Sequence, residues 1–181
     1  MSKLSIPVDK QDHIQGIETA ALTLVEYGDY ECPYCGEAYY VLKAVQQAMG
    51  EDLRFVFRNF PLAEMHPHAL HAAEFAEMAA TQGLFWQAHD LLYENQGALS
   101  DHDLHEHAKA LGIAPATLAT AFDGRFQERI EADFRGGLRS GVNGTPTLFI
   151  NGTRYDGPRD AANLIIMLRE VRDMLVSSHN R

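Results

Sequence analysis

Leu22-Thr23-Leu24-Val25-Glu26-Tyr27-Gly28-Asp29-Tyr30-Glu31-Cys32-Pro33-Tyr34-Cys35 is the stretch that decides the fold. Its first six residues are apolar and β-branched around one acid, the composition of a buried strand, and Gly28-Asp29 breaks it. From Pro33 to Met49 the apolar positions Ala38, Val41, Leu42, Val45 and Met49 recur at helical spacing, and Gly50 stops the run. Strand, turn, Cys-x-x-Cys and helix therefore follow one another directly. A second strand is expected at residues 53–57, where Leu53, Phe55 and Phe57 alternate. Strand, helix, strand makes a βαβ unit, whose crossover sets the two strands parallel.

Beyond Asn59 to Pro67, which contains two prolines, the pattern is helical as far as about Arg139. Residues 68–81 are alanine-rich, and residues 84–95 carry Phe85, Trp86, Leu91 and Leu92. Ser100 with Asp103 three residues on reads as a helix cap. Pro115 suits a first helical turn. Phe126, Ile130, Phe134 and Leu138 step by four, as one apolar helix face would. The β pattern then resumes at Thr147 to Ile150, followed by Asn151-Gly152, the strongest short signal for a two-residue hairpin, and Thr153 to Tyr155. A last helix is expected at residues 160–175, with Leu164, Ile165, Leu168 and Val171 at core spacing. The expected order is βαβ, helices, ββα: an α/β fold with a mixed sheet formed by residues 1–62 and 140–181, and an all-helical insertion at 63–139.

The composition excludes some functions. Of 181 residues, 25 are acidic and 15 basic, giving a formal net charge of −10, so long-range repulsion opposes nucleic acid. No apolar stretch approaches the roughly 18 to 20 residues of a membrane span, and Met1 to Gly16 lacks the apolar run of a signal peptide, so the expected location is cytoplasmic. The chain has only two cysteines, Cys32 and Cys35. A crosslink between them closes a tiny loop and adds little stability, so chemistry explains the pair better than architecture does.

The order of elements and four segments resemble the DsbA-like branch of the thioredoxin superfamily, in which a helical domain interrupts a thioredoxin fold. The segments are Leu24 to Cys35; Phe60-Pro61-Leu62 with His66-Pro67; Gln82-Gly83-Leu84-Phe85-Trp86 with His89-Asp90; and Gly141-Val142-Asn143-Gly144-Thr145-Pro146-Thr147. The resemblance covers about residues 8 to 170 and implies a thiol–disulfide oxidoreductase acting on protein disulfides.

Only a thiolate attacks a disulfide, and unpaired N–H groups at a helix start favour its charge. Cys32 occupies that start and is assigned as nucleophile, with Cys35, one turn inward, as the resolving thiol. The redox-active Cys32–Cys35 disulfide is the only redox group expected; no separate cofactor is called for. The resemblance implies an acid beneath the pair, here Glu26, whose burial would raise its pKa and let it relay a proton for Cys35. It also implies a cis Pro146, which sequence alone would not suggest because only about 5 to 6% of X-Pro bonds are cis, and a Thr145 that pairs with extended substrate. Tyr34 and Tyr30 flank the cysteines and are expected at the substrate.

Asp29, Glu31 and Glu37 oppose the thiolate, and no Lys or Arg lies between Lys10 and Lys43. With Tyr34 in place of the histidine typical of strongly oxidising DsbA proteins, a reductase or isomerase poise is expected. The partners are protein or peptide thiols and disulfides, with glutathione or a thioredoxin-type protein as electron partner. Cys-Pro-Tyr-Cys is equally a glutaredoxin motif, so a reductase of glutathione mixed disulfides is an alternative, and a peptide-binding chaperone of thioredoxin fold is a non-enzymatic one. His66, His68 and His71, or His102, His105 and His107, could suggest metal, but the context of Cys-x-x-Cys favours redox chemistry and no metal is expected. Phe75, Phe85 and Trp86 are expected in the core.

Overall fold

β2 (Leu22–Gly28) is the central strand, paired on both edges and buried along both faces because each face packs into its own apolar cluster. The computed structural model describes residues 2–179. β2 pairs in parallel with β3 (Leu53–Asn59) and antiparallel with β4 (Thr147–Ile150), and β5 (Thr153–Tyr155) completes that side. The far edge is β1 (His13–Gln15), antiparallel to β3, so the sheet order is β1-β3-β2-β4-β5. Three residues of mixed polarity are too short for a period-2 signal, and the sequence pattern does not announce β1.

Seven α-helices complete the described chain: α1 (Pro33–Met49), α2 (Ala69–Ala80), α3 (Phe85–Glu94), α4 (Asp101–Ala110), α5 (Pro115–Leu118), α6 (Gln127–Arg139) and α7 (Ala161–His179). The five from α2 to α6 lie between β3 and β4 in sequence. Ser100 and Asp103 form the expected reciprocal cap of α4, and Pro115 opens α5. Asp160 lies outside α7, where its carboxylate accepts the Asn163 N–H at 3.0 Å, and α7 continues past the expected end. The hairpin turns on Asn151 (φ 45°) and Gly152 (φ 78°), both in the left-handed region that a primed turn requires.

Strand alternation divides the core. Leu22, Leu24, Phe55, Phe57, Leu148 and Ile150 join one cluster with residues of α1 to α4 and α7. Val25, Tyr27, Val56, Phe60 and Phe149 face the other way, against Leu4, Val8 and Phe134 of α6. Arg58, nearly inaccessible, holds Asp12 through two bonds of 2.8 and 2.9 Å on this second side and donates to Tyr27 Oη at 3.0 Å.

Leu138 departs from expectation: it is 53% exposed. A residue four on advances about 40° beyond a full turn, so three steps from Phe126 carry Leu138 about 120° round the helix. Gly136 and Gly137 take the buried side there instead, and a Cβ on Gly137 would lie 2.8 Å from the Phe60 ring. Phe75 and Phe85 are buried and Trp86 is packed against the same cluster, as expected of core aromatics.

Candidate active site

Cys32 is the N-cap of α1, with extended backbone and no side-chain cap of its own, and Pro33 takes the first helical position where its missing N–H costs nothing. The helix start therefore presents its free N–H groups to the Cys32 sulfur. Both cysteines are free thiols, Cys32 4% exposed and Cys35 fully buried. Cys32 Sγ lies 3.5 Å from the carbonyl oxygen of Thr145, and the Thr145–Pro146 bond is cis. The hairpin strand β4 thus brings residues 145 and 146 against the nucleophile from more than a hundred residues away.

The thiolate of Cys32 is favoured strongly. The hydrogen bond from the Cys35 thiol, opposed by burial and aided by the Thr145 side chain and the N–H groups of Cys35 and Tyr34, brings its pKa down to about 5. At pH 7 that is about 99% thiolate, where an ordinary cysteine is a few per cent ionised. The Thr145 hydroxyl is buried and has no other partner, free to turn towards the sulfur once it is charged. Burial pushes the Cys35 thiol well up, and its hydrogen bond to Cys32 and the charges of Glu26 and Cys32 act in the same sense. One thiol is ready to attack and the other is held protonated.

Glu26 shares the sheet face of Leu24 and Leu22, two and four residues back, and so points under α1 rather than to solvent. It is 1% exposed, its Oε1 has no partner, and burial followed by the Cys32 charge raises its pKa to about 8. An unpaired carboxyl with that pKa, electrostatically coupled to both cysteines, can take or return a proton near neutrality.

Tyr34 is 68% exposed beside the thiolate, whereas Tyr30 is 1% exposed and its hydroxyl meets His89 Nδ1 at 3.1 Å. Tyr30 packs against Phe57 and Tyr93 and cannot reach a substrate; the reversal of the chain before α1 turns it inward. His89, fully enclosed by these rings, has a pKa well below the ordinary value because burial disfavours its charge.

Several site residues had no distinctive signal. Gln96, in the loop after α3, donates from Nε2 to the carbonyls of Tyr30 (2.8 Å) and Cys32 (2.9 Å), tying the helical segment to the turn that carries the nucleophile. Gly36 makes room for it: a Cβ there would fall 2.0 Å from Gln96 Oε1. Asp29 is not a surface acid beside the motif. It is buried, accepting from the N–H groups of Glu31 (2.8 Å) and Leu62 (2.9 Å) and meeting His66 Nδ1 at 2.8 Å. Of the other histidines, His71 meets Asp101, and His105 and His107 meet backbone carbonyls. Among the described residues no three His, Cys, Asp or Glu side chains assemble into a group that could hold a metal ion.

A family model described as thioredoxin matches residues 8–169. The chain belongs to the thioredoxin family. Solved structures similar to this thioredoxin-family chain include oxidised BdbD from Bacillus subtilis, 23% identical with a TM-score of 0.84 over 94% of this chain and 97% of that one. Another is α-DsbA1 from Wolbachia pipientis, 16% identical with a TM-score of 0.82 over 97% of each chain. These fix the thioredoxin-like, DsbA-type fold. Curated relatives include the Na(+)/H(+) antiporter NhaA 1 of Salinispora arenicola, 44% identical over 158 residues, and that of Mycolicibacterium gilvum, 39% identical over 174 residues. The thioredoxin-family chain spans about a quarter of the length of those relatives, covering 24% and 28% of them. Among its described residues, no helix is long and apolar enough to cross a membrane.

Proposed function

We propose that this chain is an enzyme, a thiol–disulfide oxidoreductase that exchanges disulfides with protein or peptide partners through Cys32 and Cys35. The observation that carries the reading is a thiolate-favouring Cys32 at the start of α1, facing the Thr145 carbonyl beside cis Pro146. In the reducing direction, the Cys32 thiolate attacks a substrate disulfide R–S–S–R′, forming Cys32–S–S–R and releasing R′S⁻. Cys35 then passes its proton to the Glu26 carboxylate and attacks Cys32 Sγ, releasing RS⁻ and leaving the Cys32–Cys35 disulfide. Two electrons move from the dithiol to the substrate. Run backwards, the same steps oxidise a substrate dithiol. Tyr34 offers an exposed ring to the substrate, and Thr145 offers main-chain groups to an extended segment.

Stabilising the Cys32 thiolate stabilises the reduced form, which supports a more oxidising centre than Tyr34 and the acidic flank imply. The direction of exchange follows the surroundings. Against a cytoplasmic glutathione pool the pair stays reduced and the chain reduces or isomerises, with glutathione or a thioredoxin-type protein as electron source. In an oxidising compartment it donates its disulfide.

Cys35→Ala stalls the exchange at the mixed disulfide, so thiol-trapping with this variant should recover protein partners on Cys32, while Cys32→Ser should recover none and lose insulin reduction. Peptide binding and refolding activity that survive Cys32→Ser would establish the chaperone reading instead. Turnover confined to glutathione mixed disulfides would establish the glutaredoxin-like one.

A further inference from the structure

Hydrogen bonds already favour the Cys32 thiolate, but the sequence around it offers almost no positive charge to add to them. No Lys or Arg lies between Lys10 and Lys43, and Lys43 is engaged with Asp90 at 2.7 Å. The exception arrives from another segment. Residues 62–68 are clamped onto the turn before Cys32 at three points: Asp29 Oδ2 accepts the Leu62 N–H at 2.9 Å and meets His66 Nδ1 at 2.8 Å, and Glu31 Oε2 accepts the His68 N–H at 2.6 Å. Asp29 belongs to the nucleophile's own turn, where its carbonyl accepts the Cys32 N–H at 3.2 Å. The His66 side chain is 17% exposed, with Nδ1 committed to Asp29.

We propose that His66, held by Asp29, supplies the positive charge beside the Cys32 thiolate, and that its protonation sets how strongly the centre favours the dithiol. The inference rests on Cys32 acting as the nucleophilic thiolate. Asp29 is the positioning residue, acting through His66. The charged groups facing His66 are Asp29 and Glu31 on the turn and Cys32 at the start of α1. Burial works against the imidazolium, but the hydrogen bond and charge of Asp29, with the charges of Cys32 and Glu31, hold its pKa above the ordinary value. The coupling is reciprocal: whatever energy the thiolate lends to His66 protonation, the protonated ring returns to the thiolate.

The proton balance follows. Reduction of the Cys32–Cys35 disulfide by a thiol substrate adds two electrons and one proton, giving a Cys32 thiolate and a Cys35 thiol. Between the His66 pKa values of the oxidised and reduced forms, His66 takes up part of a second proton. Below that range the ring is charged in both forms, and the dithiol is favoured most.

The test compares His66 ring-proton titrations by NMR in the reduced protein and in Cys32→Ser, which needs no change at His66. The His66 pKa should be higher in the reduced protein by about half a unit or more, a threefold coupling. Identical titrations would overturn the proposal. In His66→Gln, which keeps a hydrogen-bond donor for Asp29, the Cys32 midpoint followed by ultraviolet thiolate absorbance should rise by the same amount. A midpoint that is low and the same in wild type and His66→Gln would sink the role of His66 and leave the exchange reading standing. A wild-type Cys32 that stays protonated at pH 7 would remove both.

Discussion

Glu26→Gln keeps the size and polarity of the side chain and removes only its titration, so two separate pH profiles should change in calculable ways. With a pKa of about 8 in the reduced protein, Glu26 is ionised to about 1% at pH 6, about 9% at pH 7 and about 50% at pH 8. If its carboxylate takes the Cys35 proton, the resolving step should accelerate with pH until Glu26 is ionised and then level off, at or somewhat below pH 8 because Cys32 carries no charge in the mixed disulfide and burial alone then raises the carboxyl. In the variant that bend near pH 8 should vanish, leaving a slower rate that climbs with the ionisation of Cys35 itself.

Stability supplies the second profile. Because the carboxyl is raised from 4.5 to about 8, between those values the native protein keeps a proton that the unfolded chain has released, and Glu26 lowers stability as pH rises. Cys32, lowered from 9 to about 5, does the opposite: the native protein has released a proton that the unfolded chain keeps, and stability rises with pH. Each slope is about 1.4 kcal/mol per pH unit, and from pH 5 to 8 they oppose. Urea unfolding of reduced wild type and Glu26→Gln should therefore give a stability difference that grows in favour of the variant by up to about 1.4 kcal/mol per unit across pH 5 to 7.5. A difference that stays level, together with a resolving rate that still bends near pH 8, would refute the placement of a titrating acid under the cysteines.

Two further outcomes test the frame around the site. Asp12→Ala leaves the nearly inaccessible Arg58 guanidinium without its paired acceptor and should cost roughly 3 to 5 kcal/mol in chemical unfolding, and replacing both partners with apolar residues of similar volume should recover much of it. Gly36→Ala, which in an ordinary helix would gain up to about 1 kcal/mol, should instead destabilise by about 1 to 3 kcal/mol because its Cβ displaces Gln96 from the Tyr30 and Cys32 carbonyls. In a Gln96→Ala background the same substitution should be neutral or stabilising, and additivity in that double-mutant cycle would show that the contact carries no energy.

Local patterns made much of this molecule legible. The β2–α1 junction, the Asn151-Gly152 hairpin and the Ser100 cap are short-range features whose residues act within a few positions of one another, and each lies where its pattern predicts. Glu26 and Pro146 came from resemblance, since neither the burial of one acid nor the isomer of one peptide bond follows from local composition. What could not be read was set by long-range closure. Asp29 looks like a surface charge until residues 62–68 fold over it, Tyr30 looks available until His89 and Tyr93 enclose it, and Gln96 sits in a loop of no marked pattern sixty-four positions from the carbonyl of Cys32 that it holds. The acidic flank of the thiolate is incomplete in sequence for the same reason: Asp29 is met there by a histidine thirty-seven positions away.

The single buried cluster that runs from β2 and β3 through α1 into α2, α3 and α4 bears on how this architecture can be recombined. Tyr30, which sits on the turn before Cys32, is packed by Tyr93 and His89 of α3, and Gln96 fastens the same turn. A graft that exchanged the helical segment for another of equal length would thus replace part of the wall and one of the fasteners of the redox centre. Transplants between relatives should keep function only when Gly36, Tyr30, His89, Tyr93 and Gln96 travel as one unit, so the unit of inheritance here cuts across the boundary between sheet and helices.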